Sequence, residues 1–184
     1  MPETTNRRLA ELLEVLFAQD GVFNSPVPGV DIARSVESTP LHPIVYKAGF
    51  IGLAQGRKNV WLGDVRYVYD ANNYLVLSAP MPMECETFAS EKEPLLALAI
   101  SVDPIMVGEL LLEMGDIAGV DPTTCVKSGA MTDDVIDAAA RLAEVLASPI
   151  DALVLGPQIV REIVYRVLRS ENGDVLRLAT ANAS

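Results

Sequence analysis

Histidine is almost missing from this chain: among 184 residues there is only His42, set between Leu41 and Pro43. A metal centre built on histidine needs several converging ligands. A Ser-His-Asp or Cys-His catalyst would have to use that single ring, and no G-x-S-x-G elbow accompanies it. Cysteine is nearly as scarce. Cys85 and Cys125 cannot supply a disulfide framework, and two free thiols fit a reducing cytoplasm, the location expected. Bases are outnumbered, 14 against 25 acids, for a net charge of -11. Phosphate backbones repel such a surface unless its bases cluster. Arg7-Arg8, Arg57-Lys58 and Arg161/Arg166/Arg169 lie far apart in sequence, so this segment is not expected to bind nucleic acid itself. No apolar run is long enough to span a bilayer, and the polar N-terminus lacks the apolar stretch of a signal peptide. Neither G-x-x-x-x-G-K-[ST] nor a strand-linked G-x-G-x-x-G occurs. No catalytic residue, metal or cofactor is expected.

What is present is apolar. Half the residues are hydrophobic and the mean hydropathy is +0.28, which fits a folded chain with a partner surface or an internal cavity. Leu9, Leu12, Leu13, Leu16 and Phe17 recur at helical spacing after a cap at Thr4 or Thr5, and Gly21 ends the run. From 22 to 102 the pattern changes to short β-type runs at 30–36, 44–47, 50–54, 59–62, 65–70, 74–78, 83–88 and 95–102, punctuated by glycine and proline. From 103 to 184 it is helical again. Asp103-Pro104 opens a helix that Gly115 closes, an irregular connector follows over 116–131, and Thr132 caps the next helix. Ser148-Pro149 breaks the chain before a helix from Gly156 or Pro157 to Arg169. Val175, Leu176 and Leu178 add a last turn or two. The order predicts an α+β chain: an N-terminal helix at 1–21, a β-barrel at 22–102 and a helical dimerisation or linker subdomain at 103–184.

One hairpin can be derived pair by pair. Gly63-Asp64 suits a two-residue type II′ turn, which sets Leu62 opposite Val65, Val60 opposite Tyr67 and Lys58 opposite Tyr69. Val60, Leu62, Val65, Tyr67 and Tyr69 then share an inward face, while Asn59, Trp61, Arg66, Val68 and Asp70 share the outer one. Glu84 and Glu86 point the same way from one strand and read as a solvated face. Aromatic residues concentrate in the β block, where they serve as core packing or as cavity wall.

The run Leu53-Ala54-Gln55-Gly56-Arg57-Lys58-Asn59-Val60-Trp61-Leu62-Gly63-Asp64, with Tyr67-Val68-Tyr69-Asp70, Tyr74-Leu75-Val76-Leu77-Ser78, Met81-Pro82 and Pro94-Leu95-Leu96-Ala97-Leu98, resembles the N-terminal domain of AraC-type bacterial transcription regulators. The run from Val160 to Arg169 is similar to that family's helical segment. The resemblance implies a cupin-like β-barrel (double-stranded β-helix) that binds a small, largely apolar effector or dimerises. It implies a C-terminal helix-turn-helix half that contacts DNA, expected to be absent from a chain stopping at Ser184. Metal-binding cupins carry His and Glu near the position of Gly56 and on a later strand. Here Val45-Tyr46-Lys47, Ile51 and Met81-Pro82-Met83 stand there, so a cupin isomerase or dioxygenase is disfavoured. The expected cavity walls are Tyr46, Val60, Leu62, Tyr67, Tyr69 and Met83. The expected homodimer interface is Ile159, Ile163 and Val167, within an apolar band that could equally pack on the barrel.

Overall fold

The computed structural model describes residues 2–115 and 124–181. Helix α1 (Pro2–Leu16) leads into nine strands: β1 (Gly21–Asn24), β2 (Val30–Ser35), β3 (Thr39–Tyr46), β4 (Gly49–Gln55), β5 (Arg57–Leu62), β6 (Val65–Asp70), β7 (Asn73–Leu77), β8 (Met81–Phe88) and β9 (Leu95–Ser101). Then come α2 (Pro104–Met114), β10 (Val126–Ala130), α3 (Asp133–Val145), α4 (Pro149–Val154), α5 (Gly156–Leu168) and α6 (Gly173–Ala181). The strands form two antiparallel sheets, ordered β1-β2-β9-β4-β7-β10 and β3-β8-β5-β6. No ladder joins the two among the described residues.

Strands β4, β7 and β9 of the larger sheet are buried on both faces, so they read as nearly continuous apolar runs. Alternate residues sort between two cores. Phe50, Tyr74, Val76, Leu96, Leu98 and Ile100 face the helices; Leu53, Leu75, Leu77, Leu95 and Ala97 face the smaller sheet. Each fully buried Leu or Ile adds roughly 1.5–3 kcal/mol.

The hairpin has the derived register, with Leu62, Val60 and Lys58 opposite Val65, Tyr67 and Tyr69. Gly63 has φ 60°, and no non-glycine residue has positive φ among the described residues, as type II′ requires. Val65 departs from the inward assignment: at the tip it overhangs the sheet and is exposed.

Other departures have physical reasons. β3 starts at Thr39, well before the expected position 44, and holds Pro40 and Pro43. It is an edge strand, where a missing N–H breaks no inner ladder. β10 lies inside the expected irregular connector. It adds to the edge of the larger sheet beside β7, so strand pairing crosses the boundary expected at 102. Ser148-Pro149 is a helix start as well as a break: Ser148 caps α4 by accepting from the Asp151 N–H (3.4 Å) with Pro149 in the first turn. α1 begins at Pro2, ahead of the expected cap at Thr4 or Thr5, whose side chains lie outside the described residues. Asp103 caps α2 through the Ile105 N–H (2.9 Å), and Gly115 closes it in the left-handed region, as expected. Thr132 stands at the start of α3 without a capping hydrogen bond, leaving Asp133 and Asp134 to offset the helix dipole.

α3 and α5 are tied by ions as well as apolar contact. Arg141 bonds Asp137 (2.9 Å) and Glu162 (2.8 Å), while Arg166 bonds Glu162 (2.7 Å) and Asp134 (2.8 Å). Burial pushes the Glu162 carboxyl up, but the bonds and charges of Arg166 and Arg141 together outweigh it and hold the group below its ordinary range.

Candidate functional site

Between the sheets lies a cavity of about 250 Å³. Its origin is legible in the side chains that face inward. On β7 those positions are Leu75 and Leu77, which fill their space. On β2 and β9 they are Ala33, Ala97 and Ala99, and Ala33 stands directly opposite Ala97. Small side chains on adjacent strands leave room that leucines would occupy. The corner between β3 and β4 closes one end, where Gly49 (φ 141°) lets β4 approach β9. A Cβ there would lie 2.0 Å from the Ile100 carbonyl oxygen.

The polar content of the cavity is compact. Tyr46 ends β3 and Tyr69 lies on β6, and their hydroxyls meet at 3.1 Å. Tyr46 also donates to the Cys85 thiol (3.5 Å), which lies 4.0 Å from the Thr87 hydroxyl. Burial first, then the neighbouring Tyr69 and Cys85, push the Tyr46 phenol far above its ordinary value. Burial raises Tyr69 likewise and outweighs the opposing hydrogen bond from Tyr46. Both phenols are therefore neutral near pH 7, suited to hydrogen bonding and unsuited to act as bases. Lys58 lines the same cavity, and Lys47 at its rim bonds Asp31 (2.9 Å).

Of the expected wall residues, Tyr46 and Tyr69 line this cavity. Val60 and Met83 are buried in the same inter-sheet core without lining it, and Leu62 and Tyr67 pack against that core half-buried. The sequence reading missed Ala33, Ala97, Ala99, Ile44 and Ile51 as lining residues. The alternation Leu96-Ala97-Leu98-Ala99-Ile100 was the available signal, since it places alanines on one face of β9. The expected dimer residues need correction. Ile163 and Val167 are completely buried and Ile159 is 8% exposed, all within the core shared by the helices and the larger sheet. Side chains already enclosed by their own chain cannot also form a surface between two copies.

A second concavity of about 840 Å³ runs between α1, the β4–β5 and β6–β7 turns and the β8–β9 loop. It is larger but open, and it is lined by charges of both signs, including Arg7, Glu11, Glu14, Arg57 and Asp70. Arg57 lies over the Phe88 ring (4.2 Å), and Asn6 donates to the Ala71 carbonyl (2.6 Å). Such a groove offers a ligand little apolar surface, so the predominantly apolar inter-sheet cavity is the better candidate site.

The β part is two antiparallel sheets flanked by α1 and a C-terminal helical layer, with an apolar pocket between the sheets, which matches the α+β order expected. The sequence model of the AraC-type transcriptional regulator N-terminus matches residues 26–175. The chain belongs to that family. The match covers every strand but β1 and every helix but α1, reaching only the first turn of α6. Among solved structures, the AraC-type domain is similar to the crystal structure of apo ToxT K231A from Vibrio cholerae strain SCE256. The TM-score is 0.55 at 11% identity, over 83% of this chain and 60% of that one. At that identity the likeness concerns the fold. The chain thus spans 60% of the length of that structure's chain. No curated protein matches it in sequence. Among the described residues no three His, Cys, Asp or Glu side chains gather as a metal site requires, and no helix is long and apolar enough to cross a membrane.

Proposed function

We propose that this AraC-type domain senses a small, largely apolar effector in the inter-sheet cavity and, as a homodimer, controls a DNA-binding segment of the full regulator. The two sheets act as a cupin-like container that reports occupancy and carries out no chemistry. The single observation behind this reading is the apolar inter-sheet pocket with alanine-widened walls and one buried phenol pair. A ligand there touches both sheets, so it stabilises the arrangement that binds it and shifts the population of that arrangement. The helical layer packs directly on the opposite face of the larger sheet, through Phe50, Val76 and Leu98, and so senses any change in strand position. A thermal-shift screen with aromatic acids, short alkanoic acids and small alcohols tests the proposal. A saturable rise in Tm is expected for at least one class, and no rise with any of them would end it.

Dimerisation without an effector is the second reading. Ile150, Leu153, Val154 and Leu155 on and after α4 are exposed in succession, which favours a partner surface there over the buried α5 band. A solution mass near 19.8 kDa would count against a dimer of this domain.

A further inference from the structure

Lys58 is unusual for its position. It stands on β5 directly opposite Tyr69 on one side and Thr87 on the other, both buried, and lines the inter-sheet cavity with Tyr46 and Tyr69. Among the described residues no carboxylate pairs with it; the ion pairs near the cavity are Lys47–Asp31 and Arg34–Asp20. Val60 and Cys85, the next pair along the same inward face, are uncharged. An ammonium beside apolar walls loses hydration unless an opposite charge faces it. The cavity therefore holds one uncommitted positive charge, two neutral phenols and aliphatic sides.

We propose that the effector is a small monocarboxylate, its carboxylate held by Lys58 and the Tyr46–Tyr69 hydroxyls and its apolar body against Ala33, Ala97 and Ile51. This rests on the reading of the cavity as the effector site and adds the charge and size of the ligand. A carboxylate accepts charge-assisted bonds from an ammonium and a phenol at once. One phenol proton can turn from its neighbouring hydroxyl to this stronger acceptor. The volume of about 250 Å³ equals roughly eight waters at about 30 Å³ each, which fits a single ring or a short chain. Asp31 is already engaged by Lys47, so a cationic ligand would have to break that pair.

Matched ligands isolate the charge. Benzoate and hexanoate are titrated by calorimetry against benzamide and hexanamide, with the wild-type chain and with Lys58→Met, Lys58→Arg and Ala97→Leu. The expected result is at least tenfold tighter binding of the acids than of the amides. Lys58→Met should remove that preference while leaving amide binding in place, and Lys58→Arg should keep it. Ala97→Leu, which narrows the cavity, should weaken acids and amides alike. Lys58→Met should fold with an unchanged or higher Tm without ligand, because an unpaired cation has left an apolar surface. Equal affinity for acids and amides in the wild type, or acid affinity unchanged by Lys58→Met, would overturn the carboxylate assignment and leave the sensor reading standing. No binding of any probe, or binding that ignores Ala97→Leu, would remove the cavity as the site and both readings with it.

Discussion

The two faces of the larger sheet solve different problems with the same alternating strands. On the helix side, Phe50, Val76, Leu96, Leu98 and Ile100 meet α1, α3 and α5 in a continuous apolar layer. On the other side the filling is uneven: Leu75 and Leu77 are large, whereas Ala33, Ala97 and Ala99 leave space, and a polar cluster of two phenols and a thiol sits nearby. One face is built for stability and the other gives up packing for room. A strand such as β9 serves both because successive side chains point to opposite sides, so a leucine at 98 and an alanine at 97 do not compromise one another.

Substitutions should separate the two faces. The largest expected effect is on the helix side: Ile163→Asp places a carboxylate in a fully enclosed position and should abolish folding. A folded monomer from that variant would restore Ile163 to a subunit interface and reverse the correction made above. Leu98→Ala is next. Removing a buried leucine from the dense layer should lower stability by about 3 kcal/mol, read from urea denaturation. A loss under about 1 kcal/mol would mean that the layer is loosely packed. On the cavity side the sign should change, since Ala97→Leu fills empty space. It should raise stability without ligand by about 1 kcal/mol, near 2–4 °C in Tm for a domain of this size. A drop in Tm would show that the space is already occupied by relaxed side chains.

The smallest effect concerns acid. Glu162 has a depressed folded-state pKa, so its contribution is present above its unfolded value of about 4.5 and is lost as pH falls through the lower folded value. Denaturation midpoints measured from pH 6 down to pH 3 should fall, and Glu162→Gln should flatten that fall by less than about 1 kcal/mol because the pairs are partly solvated. An identical pH profile for the variant would remove Glu162 from the acid response. The two cavity phenols should contribute nothing over this range, as Tyr46 and Tyr69 stay protonated throughout.

Much of this could be read in the linear chain because the determinants are local. The hairpin at Gly63-Asp64 needs only a turn residue and alternation, and α2 needs only Asp103, Pro104 and Gly115 to mark its ends. Strand β10 escaped because Val126-Lys127-Ser128-Gly129-Ala130 has little β preference of its own. It becomes a strand through five pairs with β7 at a sheet edge. Tyr46 and Tyr69 could be named as cavity residues, since an inward aromatic on a strand is a local property. Their meeting at 3.1 Å could not, because they lie 23 residues apart on strands of one sheet that are not neighbours.

The sequence by itself determined the broad order of helix, β block and helices, the hairpin register, the lack of histidine and cysteine ligand sets, and the family. All of these follow from residue type and short-range spacing. Only the tertiary structure decided which apolar stripes are used up inside the chain. The α5 band and the exposed residues of α4 look alike as hydrophobic runs, and packing against α3 and the larger sheet is what encloses one and leaves the other bare. It also decided that Lys58 stands over an apolar cavity without a partner. A charge takes its meaning from what long-range folding brings near it.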